Sequence, residues 1–286
     1  MDGPAWLLLR GVCRGLHLAG YICVFGTALY CAALEPGSRA PGLRRLAWAG
    51  FALALAAGIG WFWLESAYIL GTGKPGVILA ALPRIIAATR FGWLTLARMG
   101  LLLAALAGAQ TRRWRGAAAL SGAGVLAQSG LGHGAAMGGG EGAALFLLSL
   151  LHIGAAASWL GTLPTLALGL RASPQPACLA RRYSRFGVIC VAVLLLSALA
   201  QYGLLIGRAR LLLSTAYGAT ALFKAAQLAG LLGLAGRNRL CLTPALPRSR
   251  AALLGSIAGE IALGVLALLA AGVLMQLAPP AMAGMG

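Results

Sequence analysis

The sequence predicts an all-α, polytopic transmembrane helical bundle of about eight spans with both termini outside, on the side away from the cytoplasm. Three observations predict it. Of the 286 residues, 60% are hydrophobic and only 10% charged, a balance far from that of a soluble domain. The apolar residues fall in runs of about 20, the length needed to cross a hydrocarbon core. The basic residues crowd into alternate short connections, as the charge bias of membrane topology requires.

Reading the runs between polar breaks gives spans at 6–34, 46–70, 91–110, 116–133, 143–170, 186–207, 217–236 and 251–276. The first is too long for a signal-peptide core and lacks a cleavage site before its polar flank, so it is expected to stay as a transmembrane helix. The segment 71–90, GTGKPGVILAALPRIIAATR, is interrupted by Pro75 and Pro83 and is expected to lie at the interface as a short amphipathic helix. No soluble domain and no internal repeat is visible. Residues 1–286 are expected to form a single integral membrane domain.

Orientation follows from lysine and arginine in short loops, which stay cytoplasmic. Connections 35–45, 111–115, 171–185 and 237–250 hold fourteen of the 23 basic residues. The alternate connections hold Lys74, Arg84 and Arg90, then Arg208 and Arg210, with none in 134–142 or after 276.

Several function classes are excluded on composition. A formal charge of +18 would suit nucleic acid only if it formed a basic face with readout residues, and here it sits in clusters between apolar runs. The six cysteines have neither CxxC nor zinc-type spacing, so no disulfide framework is expected. MGGGEG at 137–142 lacks the spacing of a phosphate loop and a preceding strand. No ATP-binding motif and no activated nucleophile is present, so neither a primary pump nor an enzyme of hydrolytic type is expected.

Ionisable groups within spans are costly and face a bundle interior or a wet cavity. They are His17, Glu65, Arg98, His152, Lys224 and Glu260, with His133 at a span end. With the N-terminus outside, a rise of about 1.5 Å per residue places all three histidines in the outer half or near the midplane. Imidazole suits copper, zinc, iron and nickel, and thioether sulfur selects Cu(I). Met137 follows His133 by four residues, so both could ligate from one helical turn. His152 and Trp159 share a helix face at a spacing of seven. The alternatives are a hydrogen-bonded interhelical histidine for His17 and His152, a solvated loop for His133, and packing for Met137. Glu65 with Arg98 and Lys224 with Glu260 are expected as ion pairs, since an unpaired charge there is costly. A proton relay is the other reading of the same residues.

LLHIGAAASWLGTLPTLAL, RRYSRFGVICVAVLLLSALAQYGLLIG and LLLSTAYGATALFKAAQLAGLLGLAGRNRL resemble, in order and spacing, the CopD family of bacterial inner-membrane copper resistance proteins. The resemblance rests on His152, Trp159, Gly161 and Pro164, on Arg182, Tyr183, Ser184 and Arg185, and on Thr215, Tyr217, Gly218, Lys224, Asn238 and Arg239. It is firmest over 143–250. RGLHLAG with His17, LGHGAA with His133, and Glu260 extend it. Ala216 departs from the proline common at its position, and Gly132 from the threonine-glycine pattern before the histidine.

What the resemblance implies is copper handling in a multi-pass protein of the bacterial inner membrane, in concert with a periplasmic copper carrier of the CopC type. The expected cargo is a copper ion, Cu+ or Cu2+, at an outward-facing site of His133 and His152 with His17 and Met137. Trp159, Glu65, Arg98, Lys224 and Glu260 are expected in support. Binding is expected to weaken as pH falls through the ordinary imidazole pKa of about 6.5. Two rival readings stand beside it. One is a haem b oxidoreductase with His17 and a partner such as His152 as axial ligands; the other is a subunit that docks a copper carrier without transporting anything.

Overall fold

The structure, a computed structural model, describes residues 3–280, and among these it contains helices and connections with no strand. Seven helices are long and apolar enough to cross a membrane. They are α1 (Pro4–Leu29, continued by a π-helical turn Tyr30–Leu34), α2 (Leu43–Leu70), α4 (Arg90–Gln110), α7 (Gly139–Ala172), α8 (Pro176–Leu205), α10 (Ala216–Arg237, continued by the π-helical turn Asn238–Leu242) and α11 (Arg250–Leu274).

The expected span at 116–133 is built differently. Its α-helical part, α5, covers only Trp114–Leu126, and a 3₁₀ stretch, Ala127–Leu131, continues it. A 3₁₀ helix rises about 2.0 Å per residue against about 1.5 Å in an α-helix. The combined segment therefore reaches about 30 Å, a bilayer core's thickness. The one-turn helix α6 (His133–Ala136) follows.

Local chemistry sets several boundaries. Pro4, Pro75 and Pro176 open α1, α3 (Pro75–Ala88) and α8, at helix starts where a missing N–H costs nothing. Thr89 and Thr215 cap α4 and α10, their hydroxyls accepting from the N–H groups of Gly92 and Gly218, each at 2.9 Å. The short α9 (Arg210–Ser214) precedes the second cap. α8 begins ten residues before the expected 186 because RRYSR continues the helix beyond the apolar run rather than interrupting it. The interruption at 71–90 folds as the short helix α3, in which only Ile78 and Ile85 are buried.

α1 is the axis of the bundle, packing against α2, α4, α5, α7 and α11. It approaches α7 closely at Gly26 and Gly161, where a Cβ on Gly26 would run into the Gly161 backbone and one on Gly161 into the Ile22 carbonyl. Small residues at such crossings let helix backbones meet in a membrane. α8 packs on α7, and α10 on α11. The six cysteines are free thiols.

Candidate functional site

The ends of α1, α2, α4, α11 and the 127–136 stretch that lie away from the arginine-rich connections gather round one open cavity of about 320 Å³. Arg14, Trp61, Glu65, Arg90, Phe91 and His133 line it, with Leu131 and Met275 among the apolar residues of its wall.

Two helix faces build its wall. On α1, Arg10, Arg14, His17 and Tyr21 recur at spacings of four, three and four, hence on one side. On α2, Ala54, Gly58, Trp61, Glu65 and Tyr68 do the same. The two faces mesh in layers. Arg10 donates from Nη2 to Glu65 Oε1 at 2.7 Å and from Nε to Oε2 at 3.2 Å, and its guanidinium lies 3.6 Å from the Tyr68 ring centre. Trp61 Nε1 donates to Glu65 Oε2 at 3.3 Å. Arg14 stands over Trp61, 5.1 Å from the ring centre, and donates from Nη2 to the Leu131 carbonyl at 3.0 Å.

His17 lies beneath this layer, 1% exposed. Its ring sits 5.5 Å from Trp61 and 6.0 Å from Tyr21, over Gly58, where a Cβ would come within 2.7 Å of Nδ1. Nδ1 is 2.8 Å from the Ala54 carbonyl. A carbonyl only accepts, so Nδ1 carries the proton and Nε2 is left with its lone pair. That Nε2 is buried with no partner. A histidine donating one nitrogen to a carbonyl and presenting the other is in the arrangement that orients metal-binding imidazoles.

His133 lines the cavity itself, edge-on to Tyr217 of α10 at 6.0 Å. Its Nε2 is likewise buried and unpartnered. Burial pushes its pKa down to about 4, with the nearby Arg14 charge adding to the effect.

His152 is elsewhere. Its Nδ1 lies 3.2 Å from Ser197 Oγ on α8, and that hydroxyl already donates to the Val193 carbonyl at 2.7 Å, so His152 is the donor. Met137 packs beside the apolar cluster of Leu145, Leu205, Ile206 and Tyr217 and does not line the cavity. Trp159 is 2% exposed in the main core, its carbonyl accepting from Tyr183 at 3.0 Å. Among the described residues no three His, Cys, Asp or Glu side chains gather where they could hold a metal.

The two expected ion pairs are corrected. Glu65 pairs with Arg10, the one ion pair among the described residues, and not with Arg98. Arg98 turns the other way on α4, its Nε donating to the Gly124 carbonyl at 2.8 Å and its own carbonyl accepting from Tyr21 at 2.5 Å, while Nη1 and Nη2 are buried without partners. Glu260 accepts from Asn238 Nδ2 and makes no bridge to Lys224. Arg10, Arg14, Trp61 and Arg90 were not expected at the site. The spacing of Arg10 and Arg14 ahead of His17 is the sequence signal that marks them.

Two family models match successive parts of the chain: copper resistance protein D-like, N-terminal domain, over residues 5–143, and copper resistance protein D over 177–274. The chain belongs to the copper resistance protein D family. It is thus a membrane protein related to copper resistance. No curated protein and no solved structure matches it. In this CopD chain His17 and His133 fall inside the first matched region, and Lys224 and Glu260 inside the second. Of the stretch 143–250, where the resemblance is firmest, 177–250 falls inside the second matched region, and His152, Trp159, Gly161 and Pro164 lie between the two.

Proposed function

We propose that this CopD protein receives a copper ion at the cavity, with His133 Nε2 as the first ligand and His17 Nε2 as the next one inward, and carries it across the bacterial inner membrane. The observation that carries the reading is the pair of buried imidazole nitrogens without partners. An unsatisfied buried polar atom is expensive and calls for an explanation, and imidazole is a good copper ligand.

Several features support cargo rather than a stored ion. The cavity is open, and fewer than three protein ligands means an ion that is held lightly enough to leave. The charge bias of the connections supports a periplasmic position for this end of the bundle, where a carrier of the CopC type would deliver. His152 and Met137 belong to the packing of α7 in this reading and not to the ligand set.

The His17 arrangement serves a haem iron as well as a copper ion, and the same experiment separates them. Detergent-purified protein is loaded with copper, washed, and measured for bound metal and absorption spectrum, wild type beside His133→Ala and His17→Ala. Retained copper that is lost in both variants, with no Soret band, is the expected result. A Soret band moves the protein to the haem class. Proteoliposomes enclosing a copper-sensitive dye then test movement: binding without flux makes the protein a docking subunit.

A further inference from the structure

The cavity carries more positive charge than a port for a bare metal ion would tolerate. Arg14 and Arg90 line it, and the single carboxylate there, Glu65, is held at both oxygens by Arg10. Arg14 is only 7% exposed, and its one hydrogen bond goes to the Leu131 carbonyl. Arg90, on the exposed rim, donates from Nη1 to the Ala135 carbonyl at 2.7 Å. Behind them Arg98 is fully buried with Nη1 and Nη2 unpartnered. Two guanidiniums, those of Arg14 and Arg90, thus line a cavity whose one carboxylate is already paired with a third, and no second ion pair relieves them among the described residues.

A cation entering alone meets like charge in a low-dielectric setting, where such interactions are strong. A buried guanidinium, conversely, draws an anion. The shortage of protein ligands near His133 and the surplus of guanidinium donors are complementary. We infer that the cavity takes a small anion of the halide class, seated between Arg14 and Arg90, which completes the coordination of copper at His133. The inference rests on the copper reading of His133. A halide suits such a place because a single atom can accept from guanidinium N–H groups and donate a lone pair to a metal.

Chloride-35 NMR line broadening in a neutral detergent, at constant ionic strength, reads the anion directly. The wild type is expected to broaden the chloride line saturably. Arg14→Gln and, as the variant on the exposed rim, Arg90→Gln are each expected to lose that broadening. Copper loading is expected to tighten chloride binding by about fivefold or more, with copper affinity raised by the same factor, since such coupling is reciprocal. His133→Ala is expected to keep chloride binding, lose copper and abolish the coupling. Broadening that is absent, unsaturable or unchanged in both arginine variants overturns the inference while leaving copper at His133 standing. Copper retention unaffected by His133→Ala overturns the copper reading whatever chloride does. A copurifying anionic phospholipid that chloride fails to displace, and that Arg14→Gln releases, overturns the halide in favour of a lipid phosphate.

Discussion

Arg10 grips Glu65 through two N–H groups, at 2.7 and 3.2 Å, across the contact between α1 and α2. The side chains are 7% and 17% exposed, so each charge depends on the other for compensation. Removing one partner of such a pair strands the other. Arg10→Gln is expected to lower stability by about 3 kcal/mol, read as thermal unfolding in detergent. Adding Glu65→Gln to it should restore much of the loss; a double variant no better than the single shows that the pair is not what holds these helices.

Gly58 leaves the space in which the His17 ring reaches the Ala54 carbonyl. Gly58→Ala is expected to tilt the ring off that carbonyl without touching Nε2. Loss of an orienting partner of this kind typically costs about 10- to 100-fold in metal affinity. Copper titration of Gly58→Ala checks it, and wild-type affinity would mean His17 is not a ligand.

Neutral imidazole is the form that binds metal, and His133 is pushed down to about 4 from the ordinary 6.5. Arg14 of α1 and the Tyr217 ring of α10 are its neighbours. Protons therefore compete with copper there only near pH 4, and retention should stay level from about pH 7 to about pH 5. This moves the expectation of weakening through 6.5 to lower pH. The copper-free protein shows the linked effect. Between 6.5 and about 4 the unfolded chain binds more protons at this residue, so its contribution to stability falls as pH falls through that window. Copper retention and melting temperature, each followed against pH for wild type and His133→Gln, check both; a retention midpoint near 6.5 contradicts the burial of this ring.

His152 is tied to Ser197 and stands apart from the cavity residues. His152→Ala is expected to leave copper stoichiometry unchanged, whereas His133→Ala should abolish it. Equal loss in the two variants would bring His152 into the ligand set.

Gly26 and Gly161 meet backbone to backbone. Gly161→Ala is expected to destabilise the bundle by about 1–3 kcal/mol, the usual cost of overpacking, despite alanine's better helix propensity. Detergent melting curves measure it, and an unchanged midpoint would mean α1 and α7 do not cross so closely.

The spans were legible in the sequence because a membrane demands long uninterrupted apolar runs, and prolines and capping threonines mark the ends. The fourth was less so: WRGAAALSGAGVLAQSGL is apolar enough to expect a span, but nothing in its composition distinguishes an α-helix from one finished by a 3₁₀ turn. The site was half legible. Rarity in an apolar chain singled out His17 and His133, but Arg10 and Glu65 are fifty-five residues apart, and their pairing depends on how α1 and α2 rotate against each other. The rotations of α4 against α5 and of α7 against α8 in the same way send Arg98 to Gly124 and turn His152 to Ser197. Arg10 and Arg14 were hidden among the basic residues of a strongly cationic chain, although their register with His17 marks one helix face.

The short helix α3 buries only Ile78 and Ile85 and meets α4 closely at Gly92, while Val77 and Leu79 are 49% and 57% exposed. Immediately after it come Arg90 and Phe91, both on the rim of the cavity. The rim, held on its inner side by the packing of Phe91 against Trp61 and Phe62 of α2, is thus joined directly to a helix with an outward apolar face. Reconstitution into thicker or thinner bilayers is therefore expected to act on this helix before any other, and through it on the entrance to the cavity.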